Sequence, residues 1–146
     1  MRPRKLSAEI EFSVEFYDVD SMNIVWHGNY IKYFEKARCA LLEKIGYGYL
    51  QMSQSGYAFP VTDIKAKYIK PLFFQQKVRA TATLEEYESL LRISYVIQDT
   101  QTGEITTKGK SSQVAVKIDT RTTCFDCPDI LIKKVRTLLN KESEDV

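Results

Sequence analysis

The chain of 146 residues holds no apolar run near the ~20 residues that would span a bilayer, which excludes a membrane helix of its own. It has an odd count of three cysteines, which fits free thiols rather than a disulfide scaffold, and its one histidine, at position 27, is a poor complement to cysteines near the C-terminus. Charge of one sign is also missing. The formal net charge is +2, from 21 basic and 19 acidic side chains interleaved along the chain, so no extended positive field is available for a nucleic acid. The basic start Met1-Arg2-Pro3-Arg4-Lys5 lacks the apolar stretch of a signal peptide and is followed by Glu9, Glu11 and Glu15. A cytoplasmic location is expected, in which Cys39, Cys124 and Cys127 are free thiols. Cys124 and Cys127 have CxxC spacing but lack further ligands for zinc and lie outside any βαβ pattern, so neither a metal nor a redox dithiol is expected.

What is present reads as one globular domain over residues 1–146, with 44% hydrophobic and 27% charged residues. From Glu9 to Phe16, Ile10, Phe12, Val14 and Phe16 alternate with Glu11, Ser13 and Glu15, the pattern of a half-buried strand. Tyr17 to Gly28 is polar and aperiodic, a loop. From Asn29, a plausible N-cap, the residues Tyr30, Tyr33, Phe34, Ala37, Leu41 and Ile45 form one helical stripe, ended by Gly46 and Gly48. Period two returns in Ile64/Ala66/Tyr68, Val78/Ala80/Ala82/Leu84 and Leu91/Ile93/Tyr95/Ile97. Asp99-Thr100-Gln101-Thr102-Gly103 is a turn that makes a hairpin with a β-rich stretch reaching about Ile118. Pro128 opens a short C-terminal helix with Leu131, Val135, Leu138 and Leu139 on one face. The order is α+β, an antiparallel sheet of about five strands with one long helix. One helix leaves a sheet face and an edge uncovered, so a homo-oligomer is expected. The acidic end Glu142-Ser143-Glu144-Asp145 is the only biased tract.

Chemistry concentrates in Tyr17-Asp18-Val19-Asp20-Ser21-Met22-Asn23-Ile24-Val25-Trp26-His27-Gly28-Asn29-Tyr30. Two acids precede a helix start, whose first amides have no intrahelical acceptor and carry the positive end of the helix dipole. Such amides suit a developing oxyanion, and a nearby carboxylate can attack or activate water. Taken alone, Asp20 could equally be a turn residue bonded to its own backbone, and His27 a cap. Glu35 and Arg38, at i and i+3, read as a helix-surface ion pair, with a buried or interface partner as the alternative.

The run Asp20, Val25, Trp26, His27 and Tyr30, followed by Tyr33-Phe34-Glu35-Lys36-Ala37-Arg38 and later by Phe59-Pro60-Val61, resembles the hot-dog-fold acyl-CoA thioesterases. Within the 4-hydroxybenzoyl-CoA thioesterase superfamily it is most similar to the Tol-Pal-associated branch. The resemblance implies hydrolysis of an acyl-CoA, with an acyl carrier protein thioester as the lesser choice, and no cofactor. It implies Asp20 as catalytic carboxylate, nucleophile or general base, with Asp18 left as a loop-structuring acid. His27 would polarise the thioester carbonyl through its backbone amide, its imidazole being open to test. Val25 and Tyr30 would line the substrate. A main-chain group around Ala58 would complete the pocket across a subunit boundary, in a homodimer or homotetramer. Relatives hold the CoA phosphates with a pair of Arg between the third and fourth strands, where this chain has Glu85-Glu86-Tyr87-Glu88-Ser89. Lys65, Lys67, Lys70 and Arg92 are the basic residues near that end of the sheet, and none is assigned to a phosphate. A hot-dog hydratase or dehydratase, and a non-catalytic acyl-thioester-binding or scaffold protein, are the competing readings.

Overall fold

The computed structural model describes residues 5–144; Met1 to Arg4 of the basic start, and Asp145 of the acidic end, lie outside them. The strands are β1 (Ser7–Ser13), β2 (Tyr57–Ala58), β3 (Val61–Tyr68), β4 (Lys77–Glu86), β5 (Leu91–Asp99), β6 (Ile105–Gln113), β7 (Val116–Lys117) and β8 (Thr122–Thr123). The helices are α1 (Tyr30–Ile45), α2 (Tyr49–Gln54) and α3 (Asp129–Glu144). Five strands form an antiparallel sheet in the order β1-β4-β5-β6-β3, and β2, β7 and β8 form a small second sheet.

The alternation in β4 and β5 selects the inner face. Val78, Ala80, Ala82, Leu84, Leu91, Ile93, Tyr95 and Ile97 are all buried, and their alternate neighbours are not. Against this face lies α1, whose buried stripe is Tyr30, Tyr33, Phe34, Ala37, Arg38, Leu41, Leu42 and Ile45. Each large apolar side chain removed from water in this way contributes about 1.5–3 kcal/mol. The small Ala80 and Ala82 leave room for the helix to sit close. Phe34 stacks on Tyr95 with ring centroids 4.7 Å apart. Its ring occupies the space above Gly109, where a Cβ would come within 2.5 Å of it. This is the hot-dog arrangement, a sheet wrapped around one long helix.

Gly46 ends α1 in the left-handed region at φ 82°, donating to Leu42 and Glu43 carbonyls. The β5–β6 hairpin closes as its sequence indicates, with Gly103 N–H donating to Asp99 O and the Asp99 carboxylate accepting from the Gln101 and Thr102 amides. The C-terminal helix α3 buries Leu131 and Val135, and Glu142 on it pairs with Lys44 of α1.

Two expectations are corrected. The first strand stops at Ser13, and Phe16 lies in a 3-10 turn (Phe16–Asp18) with 74% of its surface exposed, because the chain leaves the sheet one turn before the apolar alternation ends. Asn29 does not cap α1: its backbone is already helical, since a 3-10 turn (His27–Asn29) precedes the α-helix, and its side chain makes no cap bond. The Asn29 amide side chain donates instead to Asp18 O at 2.8 Å.

Candidate active site

The loop between β1 and α1 is organised by Asp18, which is only 3% exposed. Its Oδ2 accepts from the Tyr33 hydroxyl at 2.9 Å and from the Glu15 amide at 3.0 Å, and its Oδ1 lies 3.3 Å from Lys32 Nζ. Its carbonyl accepts from the Trp26 amide and the Asn29 side chain. Burial, followed by the hydrogen bond to Asp18, pushes the Tyr33 phenol far above its ordinary value, so Tyr33 stays a donor. Asp18 is thus the structuring acid of the loop.

Asp20 is different. It is exposed, and the one hydrogen bond of its carboxylate is to the Met22 amide at Oδ1, 2.8 Å. Its Oδ2 has no protein partner among the described residues. The backbone around it is fixed: Asp20 N–H donates to Ile24 O, Asn23 N–H to Asp20 O, and Asn23 adopts the left-handed conformation at φ 63° that closes the turn. Asn is among the few residues that take this conformation readily. Val25 N–H then donates to Leu72 O, tying the loop to the segment after β3.

A cavity of about 290 Å³ opens between these segments, lined by Asp20, Ile24, Val25, His27, Tyr30, Tyr68, Ile69, Lys70 and Pro71. Four of the five residues expected from the sequence therefore converge on one cavity. His27 begins the 3-10 turn, and the amides of His27 and Gly28 find no protein acceptor among the described residues, whereas the Asn29 amide is taken by Trp26 O. Of the two, His27 lines the cavity, so its amide is the free donor available to an oxyanion there. The Tyr68 hydroxyl donates to His27 O at 3.3 Å, and its ring meets Tyr30 edge to face at 4.8 Å. Tyr30 is both core and lining, 3% exposed, with burial raising its phenol. A Cβ at Gly28 would lie 2.1 Å from the half-exposed Trp26 ring, so a side chain there would displace that ring.

Ala58 is not part of this cavity within one chain. It lines a second one of about 460 Å³ with Tyr49, Met52, Ser53, Tyr57, Phe59, Pro60, Val116 and Ile118, beyond the opposite end of β3. Arg38 is buried rather than on the helix surface: its Nε donates to the Tyr49 hydroxyl at 2.9 Å, and Glu35 stands off at 3.8 Å. Tyr68 and Lys70 were not singled out from the sequence as cavity lining. The alternation of β3 places Tyr68 on the inner face, but only the fold brings that strand end to the loop.

A family model of the thioesterase-like superfamily matches residues 14–137. The Bacillus subtilis protein YneP, assigned as an acyl-CoA thioesterase, is 33% identical over 107 residues, covering 73% of this chain and 77% of YneP. The DHNA-CoA thioesterase structure from Staphylococcus aureus has 30% identity and a TM-score of 0.78, covering 93% of this chain and 95% of that one. A 1,4-dihydroxy-2-naphthoyl-CoA thioesterase from Synechocystis shares the fold at 13% identity, TM-score 0.79, covering 88% and 95%. The chain belongs to the thioesterase-like superfamily, and it is a thioester hydrolase by class. Membership is of the superfamily, and the Tol-Pal-associated branch within it is not part of that conclusion. Among the described residues, no helix is long and apolar enough to cross a membrane.

Proposed function

We propose that the protein hydrolyses an acyl-CoA to free acid and CoA, with Asp20 as the reacting carboxylate. The observation that carries this is the convergence of Asp20 at one cavity with His27, whose amide has no protein acceptor among the described residues. The thioester carbonyl oxygen accepts from that amide, which stabilises the oxyanion as it forms. Asp20 then acts by one of two routes. As nucleophile its Oδ2 bonds to the carbonyl carbon, the C–S bond breaks, CoA leaves as thiolate, and water opens the mixed anhydride. As general base it takes a proton from water, whose oxygen attacks the same carbon, and the C–S bond then breaks as CoA leaves as thiolate. Thiolate is a good leaving group, so neither route needs a strong general acid. The His27 imidazole stands at the cavity without being required by either. The relatives named for CoA thioesters support CoA as the thiol.

The site is completed by a second copy of the chain, in a homodimer or a tetramer built from dimers. β3 is an edge strand whose other side is unpaired among the described residues, and of its eight residues only Ile64 is partly buried. Two such edges pairing antiparallel about a two-fold axis set the Tyr68 end of one against the Val61 end of the other. That brings the Asp20 cavity of one protomer beside the Ala58 cavity of its partner. The apolar lining of the second cavity, with Met52, Tyr57 and Phe59, then suits the acyl group.

The test is thiol release from a panel of acyl-CoA esters by the purified protein and by Asp20→Asn. Activity on some ester, with a loss of at least about a hundredfold in the variant, is expected. A variant as active as the parent removes Asp20 from the chemistry. Label found in Asp20 after a single turnover in 18O water identifies the nucleophilic route, because water that opens the anhydride at the Asp20 carboxyl carbon leaves its oxygen there, whereas the general-base route places it only in the product acid.

A further inference from the structure

The sheet face turned away from α1 carries a feature that the hydrolytic site does not use. In the β3–β6 ladder Lys65 stands opposite Lys110, and Lys67 opposite Lys108. The four lysines surround a shallow depression of about 230 Å³ that is also lined by Ala66 and Gly109. All four are exposed, and none of them forms an ion pair among the described residues. On β5, Arg92 and Ser94 continue the same face, Ser94 opposite Lys110 and Arg92 opposite Ser112. The nearby acids are Asp63, two residues before Lys65 on β3, Glu85, which Lys5 and the Ser94 hydroxyl engage and whose charge Lys110 also favours, and Glu104, which pairs with Lys70.

Like charges placed directly across a ladder weaken it, and here two such pairs adjoin. Lysine on an edge strand has an ordinary purpose, since it discourages unwanted strand docking. That purpose does not account for Lys65 and Lys67, whose edge pairs with a second copy in the proposed dimer. Lys108 and Lys110 sit on β6, which is flanked on both sides by β5 and β3. Four unpaired ammonium groups at ladder spacing make a receptor for a compact ligand with several negative charges.

The patch begins where the candidate site ends. Tyr68 lines the Asp20 cavity from the inner face of β3, its neighbour Lys67 projects from the outer face, and Lys70 lies at the cavity two residues on. We propose that Lys67/Lys108 and Lys65/Lys110 hold the phosphates of the substrate's CoA, with the pantetheine arm passing around the end of the sheet at Lys70. This rests on the reading of the Asp20 cavity as a CoA-thioester site. From Tyr68 to Lys65 the strand advances about 10 Å. The arm between thioester sulfur and first phosphorus has about thirteen bonds and reaches ~15 Å when extended, so the diphosphate arrives at the lysines without strain. Lysine suits the task, because a flexible point charge does not demand the planar geometry that arginine does. The patch thereby supplies phosphate contacts in a chain whose β4–β5 turn is acidic, with Glu85, Glu86 and Glu88.

The test compares the parent protein with two double variants, Lys65→Gln/Lys110→Gln and Lys67→Gln/Lys108→Gln. Calorimetric titration with adenosine 3′,5′-bisphosphate and with CoA reads binding directly, independent of hydrolysis. Each double variant is expected to weaken binding about tenfold or more. On an acyl-CoA it raises KM by a similar factor, while kcat and the hydrolysis of the matching acyl-pantetheine, which lacks the nucleotide, stay within about twofold. Added salt should weaken binding by the parent and have much less effect on the variants. Unchanged nucleotide binding in both variants overturns the proposal, as does an equal loss on the acyl-pantetheine. Intact nucleotide binding with lost hydrolysis of an acyl carrier protein thioester also overturns it, assigning the patch to an acidic protein surface. A protein that binds nucleotide through these lysines yet hydrolyses no thioester supports the phosphate site and refutes the proposed function instead. Melting curves serve as the folding control, and removal of opposed like charges should not lower them.

Discussion

Replacing Asp18 and Asp20 one at a time should separate stability from catalysis, although only one residue lies between them. Asp18→Ala removes a buried acceptor that serves the Tyr33 hydroxyl, the Glu15 amide and Lys32. A hydrogen bond to a buried charged group is worth about 1.5–3 kcal/mol, and the stranded Tyr33 hydroxyl adds a penalty of about 1–3 kcal/mol. These overlap, so a loss of about 3 kcal/mol is expected, which for a domain near 150 residues corresponds to a fall of roughly 6–12 °C in Tm. Asp20→Ala removes one exposed bond to the Met22 amide, with an effect under about 1 kcal/mol. Its activity should nonetheless fall by about a hundredfold or more. Thermal melts followed by circular dichroism, with thiol release measured well below both transitions, read the two effects separately. The Tyr33→Phe variant supplies a cycle: combined with Asp18→Ala it should be less destabilising than the sum of the two, by about 1–3 kcal/mol. Equal melting temperatures for the two aspartate variants would refute the division of roles.

Gly109→Ala drives a Cβ to within 2.5 Å of the Phe34 ring and 3.0 Å of the Lys65 carbonyl, so it should cost about 1–3 kcal/mol, read as a lowered Tm. Burial pushes the Cys127 thiol up to about 12 from an ordinary 9.0. The folded state therefore holds this proton more tightly than the unfolded chain, and Cys127 makes stability fall as pH rises between those values. At pH 8 a thiol reagent should leave Cys127 unmodified until denaturant is added; rapid labelling in the native protein would contradict its burial. Light scattering should give a dimer or tetramer, and a stable monomer with full activity would remove the second copy from the site.

The sequence disclosed most where one surface alone decided a residue's fate. β4 and β5 lie inside the sheet, so strict alternation maps directly onto burial from Val78 to Leu84 and from Leu91 to Ile97. In β3 the same alternation is present but Ala66 and Tyr68 remain exposed, because an edge strand has a neighbour on one side only. Phe16 continued the apolar pattern of β1 after the backbone had turned away, a tertiary effect with no local signal. The helix α2 and the small sheet of β2, β7 and β8 are too short to leave a period. At the site, Asp20, Val25, His27 and Tyr30 were recognisable because they are close in sequence. Tyr68, Ile69, Lys70 and Pro71 reach the same cavity only through strand pairing and the Val25–Leu72 hydrogen bond. Ala58 stays apart within one chain, and its part in the site depends on a second.

Asp18 has one more consequence. Every bond it makes holds the base of the loop, through Glu15, Trp26, Asn29, Lys32 and Tyr33, and none reaches the tip at Ser21, Met22 and Asn23. Met22 at that tip is 74% exposed. The tip turn is held by Asp20 itself, which bonds Met22, Asn23 and Ile24, so its length is fixed while the exposed Met22 side chain is free to change. The two aspartates thus divide the loop between them, Asp18 holding its base and Asp20 its tip, and side-chain substitutions at Met22 should leave both sets of bonds intact.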